Sequence, residues 1–233
     1  MTDENFGKLV SLIDSCVLGE NYLKNTERLL NWINLLKGDE VKKVFDWLQK
    51  KEHPTAAYLI GKFYEEGKGV DKNIREALLW YLKAAELNNT FAMFDLGAIY
   101  QFDHVERNYD EALKWYMKAY ELGDKFVINN IGVMYYEGSG VEKDFNIALK
   151  WFLEAKTSNS FLNVANIYEQ EGKYLDAIEY VTLAYNLLED DEKQKLHCVG
   201  KMNRIFKKCN VELLTKWVSM KGSVLLGSEH SDR

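Results

Sequence analysis

The chain has 233 residues, 47% hydrophobic and 28% charged, enough apolar material for one or two domains with a sizeable core. Its formal net charge of −6 argues against a general nucleic-acid binder, which is usually basic. Pro54 is the single proline, which suits a chain built almost wholly of helix, because proline breaks helix interiors.

The first stretch, MTDENFGKLVSLIDSCVLGE, has no basic start, and its short apolar run is interrupted by Asp14, so it makes a poor secretory signal. No segment reaches the roughly 20 apolar residues of a membrane span. Cys16, Cys198 and Cys209 form no Cys-x-x-Cys pair, and an odd, sparse set fits a reducing, intracellular (cytoplasmic) setting.

Residues 1–53 are expected to form an N-terminal helical cap with a degenerate repeat. Its first helix is YLKNTERLLNWINLLK over 22–37, and its second carries Val44-Phe45-Asp46-Trp47. From 54 to 190 the chain repeats itself in four copies. Gly61/Tyr64, Gly97/Tyr100 and Gly132/Tyr135 lie 36 and 35 residues apart, and Ala165/Tyr168 follows with alanine in place of glycine. A second anchor reads Ala77-Trp80-Tyr81-Ala84, Ala112-Trp115-Tyr116-Ala119, Ala148-Trp151-Phe152-Ala155 and Ala177-Tyr180-Val181-Ala184.

In each first helix the apolar residues recur at i, i+3, i+4 and i+7, as in Ala57, Ile60, Gly61 and Tyr64, which is one helical face. The small residue lets a neighbour approach, and Trp80, Trp115 and Trp151 are expected in the core. Gly67-Lys68-Gly69 and Gly138-Ser139-Gly140 read as helix ends. Asn73 with Glu76 and Asn108 with Glu111 read as capping boxes. Copy two has QFDHVERNYDEA where the glycine turn should be, so a different connector is expected there. Residues 191–221 are expected to form a C-terminal extension of two helices, DDEKQKLHCVGKMNRIFKKC and VELLTKWVSM, with a disordered tail over 222–233.

The stretch AAYLIGKFYEEGKGVDKNIREALLWYLKAAE resembles the Sel-one-like repeat, a relative of the tetratricopeptide repeat. The resemblance covers about 54 to 190 and implies an all-α fold, a right-handed α/α solenoid of stacked helix-turn-helix repeats. It also implies that the first helices line a concave side. The positions left over from their core stripe are then groove candidates: Tyr58, Lys62, Phe94, Gln101 and Phe102, then Asn129, Val133, Tyr136, Asn166 and Glu169. They differ between copies and mix aromatics, amides and acids, as a peptide-anchoring surface does.

His53, His104, His197 and His230 make no H-E-x-x-H and have no metal spacing with cysteine, and no G-x-S-x-G is present. No catalytic residue, metal or cofactor is expected. Lys201, Arg204 and Lys208 share a helical face, to be read as solvated or as a contact for an acidic partner, nucleic acid or a membrane. The reading is a monomeric, non-enzymatic scaffold or adaptor that binds a protein or peptide segment along its groove, not nucleic acid. The rival readings are a hydrolase-type enzyme, and an accessory or immunity-like partner acting through the convex face or the basic C-terminal helices.

Overall fold

The computed structural model describes residues 3–15, 22–103 and 106–209. Twelve helices and no strand occur among the described residues. They pair in chain order, each hairpin packing on the next within two compact units, Met1–Asp124 and Lys125–Arg233. The first unit holds α1 (Asp3–Ser15), α2 (Tyr22–Leu35), α3 (Asp39–Leu48), α4 (Pro54–Glu66), α5 (Ile74–Glu86), α6 (Thr90–Phe102) and α7 (Tyr109–Glu121). The second holds α8 (Val127–Glu137), α9 (Phe145–Ala155), α10 (Ser158–Gln170), α11 (Tyr174–Asn186) and α12 (Glu192–Phe206). The second helix expected in the C-terminal extension, and the tail after it, lie outside the described residues.

Each repeat is a hairpin whose seam joins a small residue to an aromatic. A Cβ placed on Gly61 would stand 2.4 Å from the ring of Tyr81, on Gly97 2.4 Å from Tyr116, and on Gly132 2.6 Å from Phe152. Those three rings are fully buried. The fourth hairpin makes the exchange in both members: Ala165 faces the problem with Val181 in place of the ring, and both are buried in one cluster.

The tryptophans expected in the core are a partial correction. Trp115 is buried, but Trp80 and Trp151 are only half-buried. The reason is angular. At 100° per residue, positions four and seven after the anchor alanine fall close to the seam, and position three falls to one side. Trp80 and Trp115 instead carry lysines over their faces, Lys83 at 5.0 Å and Lys118 at 5.3 Å.

Gly67 and Gly138 close α4 and α8 in the left-handed conformation, at φ 71° and 78°. The expected capping boxes form only by half. Asn73 Oδ1 accepts from the backbone N–H of Glu76, and Asn108 Oδ1 from that of Glu111. The reciprocal bond is pre-empted, because the N–H of Asn73 donates to the carbonyl of Tyr64 and that of Asn108 to Tyr100. The same closure recurs from Asp144 to Tyr135 and from Lys173 to Tyr168. Copy two therefore reaches the same backbone closure without its glycines. A full capping box forms instead at Thr157 and Ser160, at the start of α10.

Candidate functional site

The groove candidates of the first unit are largely consumed by packing. Tyr58 and Gln101 are each only 3% exposed, which corrects their reading as surface positions. Tyr58 lies against the rings of Tyr81 and Phe91 at 5.7 and 5.9 Å. Gln101 Oε1 accepts from the buried Tyr116 hydroxyl at 3.1 Å. Phe94 is half-buried with its ring 6.1 Å from that of Tyr116, and Phe102 stays exposed.

Lys62 joins a network that ties α4, α5 and α6 together. Its Nζ donates to Glu65 at 2.6 Å and approaches Asp95 at 3.5 Å, while the Tyr81 hydroxyl donates to Glu65 at 2.7 Å. Burial resists the Lys62 charge, but Asp95 and Glu65 outweigh it and hold the amine above its ordinary range. Burial also pushes the Asp95 carboxyl up to about 6, with Lys62 and the Tyr58 hydroxyl opposing and Glu65 adding to the rise. The folded protein thus holds this proton more tightly than the unfolded chain does. Asp95 favours folding in acid, and that contribution is lost as the pH climbs from the ordinary value of 3.8 to about 6. Asp95→Asn should remove a pH-dependent loss of up to about 3 kcal/mol across that window. Urea midpoints of both proteins measured across it check this, and equal slopes would refute it.

The second unit is different. Val133 packs beside the Ala148/Phe152 cluster, and Tyr136 stacks on Phe145 at 5.5 Å while its hydroxyl accepts from Gln170. Asn129 and Asn166, however, open onto a cleft of about 690 Å³. Asn129 comes from α8, Asn159, Asn163 and Asn166 from α10, and His197, Lys201 and Arg204 from α12. The three α10 asparagines fall at i, i+4 and i+7, one helical face.

The polar atoms of the cleft are arranged with a bias. Asn163 Nδ2 donates to Asn129 Oδ1 at 3.2 Å, and Lys201 Nζ donates to Asn166 Oδ1. Each of these two amide oxygens thereby takes one bond and keeps a second lone pair, while the N–H groups of Asn129 and Asn166 remain to be offered. Glu169 stands beside the cleft and is shared by three cations: Arg204 at 3.1 Å, Lys208 at 2.8 Å and Lys201 at 3.7 Å. Burial works against its charge, but the Lys208 hydrogen bond and the charges of Arg204 and Lys201 hold its carboxyl below the usual range. Lys201 is 8% exposed, and burial pulls its amine below the ordinary lysine range.

Glu169 is available for this role because of the seam. At the equivalent position Glu65 and Gln101 each take the hydroxyl of the buried tyrosine. Val181 has no hydroxyl, so Glu169 turns to α12 instead. The basic face of α12 and the groove, offered by the sequence as rival surfaces, meet here. His197, Asn159 and Asn163 escaped the sequence reading, although the periodic asparagines of α10 were a usable signal. Among the described residues no group of three or more His, Cys, Asp or Glu is placed to hold a metal ion, and no helix is long and apolar enough to cross a membrane.

The family model described as Sel1 repeat matches residues 54–89, 90–124 and 127–160. The shorter fourth copy lies outside those matches. Comparison with curated proteins found no match. Among solved structures, a Sel1 repeat protein from Oxalobacter formigenes is 23% identical, with 95% of this chain and 96% of that one covered and a TM-score of 0.60. A protective antigen present in uropathogenic Escherichia coli strains, displaying an SLR fold, is 24% identical with a TM-score of 0.58. The alignment covers 90% of this chain but spans only 44% of the antigen. An immunity protein from Pseudomonas aeruginosa is 18% identical, over 70% of this chain and 72% of its own, with a TM-score of 0.43. These likenesses concern the fold. With three matched copies in register with the seams described above, the chain carries a run of Sel1 repeats over residues 54–160.

Proposed function

We propose that this protein is a non-enzymatic protein-binding module that seats a segment of a partner in the cleft between α8, α10 and α12. The observation that carries this reading is the cleft itself. It gathers side chains from three successive first helices, at positions where the copies differ, and their polar groups border open space as well as one another. The general protein-binding character of Sel1 repeats supports it. So does the contrast with the first unit, where Tyr58, Lys62 and Gln101 are engaged by their own neighbours.

A random peptide library displayed on phage, panned on the full-length protein, tests the reading. Enriched peptides should bind the wild type at least about tenfold better than Asn163→Leu, a loss of about 1.4 kcal/mol. The thermal unfolding of the variant should match that of the wild type. Failure to enrich any peptide, or equal binding to both proteins, would overturn it.

A further inference from the structure

We propose that the cleft recognises carboxylates, so that its occupant is an acidic protein segment. The inference rests on the reading of the cleft as a protein-binding site and names the chemistry of its ligand. Three features point the same way. First, no acidic side chain lines the cleft, whereas Lys201 and Arg204 do. Second, the amide oxygens of Asn129 and Asn166 each already accept a bond from within the protein, which biases these two side chains toward donation. Third, a single carboxylate, Glu169, is divided among three cations, which leaves positive charge in surplus.

The placement of Lys201 is the most telling. A lysine at 8% exposure is costly unless something compensates its charge, and here it has only an amide oxygen and a distant share of Glu169. An incoming carboxylate would supply the missing counter-charge, and amide N–H groups beside it would fill the remaining lone pairs. Both the side chains of Asp and Glu and a chain-end carboxylate have this chemistry. A nucleic acid is disfavoured: no Phe, Tyr or Trp ring lines the cleft to stack a base, and the chain is net negative at −6.

Fluorescence anisotropy on the full-length protein decides the matter. The probe is a labelled Gly/Ser decapeptide carrying several Glu residues and a free C-terminus. Two companions separate the sources of carboxylate, one with the Glu residues changed to Gln and one with an amidated end. The acidic probe should bind, with an affinity that falls as salt is raised. At least one companion should bind about tenfold more weakly, which identifies the source. Arg204→Gln, on an exposed side chain, should weaken binding about fivefold, and Glu169→Gln should strengthen it by a similar factor. Lys207→Gln makes the same change of net charge outside the cleft and should leave binding unchanged.

Equal binding of all three peptides overturns the proposal. So does an affinity indifferent to Arg204 and Glu169, or a single-stranded oligo-dT that binds more tightly than the acidic probe. Neutral peptides enriched by panning and lost on Asn163→Leu would overturn the carboxylate preference alone. A library that yields no peptide would remove the binding site with it.

Discussion

Replacing Gly97 by alanine is expected to destabilise the protein by about 1–3 kcal/mol, although alanine is intrinsically the better helix former by about 1 kcal/mol. The new Cβ would stand 2.4 Å from one ring carbon of Tyr116 and 2.8 Å from another. That ring has no room to yield. It is fully buried, Phe94 lies on it, and its hydroxyl is tied to Gln101. Tyr116→Val should make room for the methyl group. Tyr116→Val alone is expected to be costly, because it leaves a cavity. The double variant should therefore be more stable than the sum of the two single changes predicts. A double-mutant cycle on urea midpoints measures this coupling. A coupling of zero, or a harmless Gly97→Ala, would show that the ring does not set the helix separation.

Glu169→Gln is expected to cost about 2 kcal/mol of stability while tightening the binding of an acidic ligand. The loss falls mainly on Lys201, whose side chain is 7% exposed and would keep its charge with only an amide for a partner. Arg204 and Lys208 are 60% and 47% exposed, so water compensates them and their share is small. The carboxyl of Glu169 is held below its ordinary range in the folded state, so its contribution is present above the unfolded value and disappears as the pH falls through the folded one. The difference between wild type and variant should accordingly shrink in acid. Chemical unfolding at neutral and acid pH, alongside the anisotropy assay, reads both effects. A variant that is as stable as the wild type would show that Glu169 is not what compensates the buried lysine. Opposite movements of stability and affinity are the mark of a site whose charge balance is left incomplete for its ligand.

Much of the architecture was legible because it repeats. Ala57, Ile60, Gly61 and Tyr64 define a face, and three further copies in register make the hairpin plain. The site was less legible because a helical wheel separates core from surface but does not say which surface positions satisfy one another. Tyr58 and Gln101 occupy the same face as Asn129 and Asn166, yet the former lie against rings and hydroxyls of the neighbouring helix. For Gln101 and Glu169, which hold equivalent positions, the difference is the partner across the seam: Tyr116 supplies a hydroxyl that claims Gln101, and Val181 supplies none. Glu169 and the cations of α12 were both visible in the sequence as separate features. Their convergence depends on the packing between α10 and α12, which spacing alone does not reveal. The capping boxes show the same limit, since the competing donor-acceptor pair lies eight or nine residues away in the chain.

The small-residue and ring pairs have a consequence for how such a chain can change in length. Each pair joins the two helices of one hairpin, Gly61 with Tyr81 and Gly132 with Phe152, so both members travel on one contiguous stretch of gene. A duplication or deletion whose ends fall between hairpins moves the fit intact. One whose ends fall in the glycine turns would bring the Ala165 helix against a helix bearing Phe152, and the two would not close. Whole hairpins are therefore the inheritable coin of this fold, and the cleft residues they carry can be reassorted without rebuilding the seam.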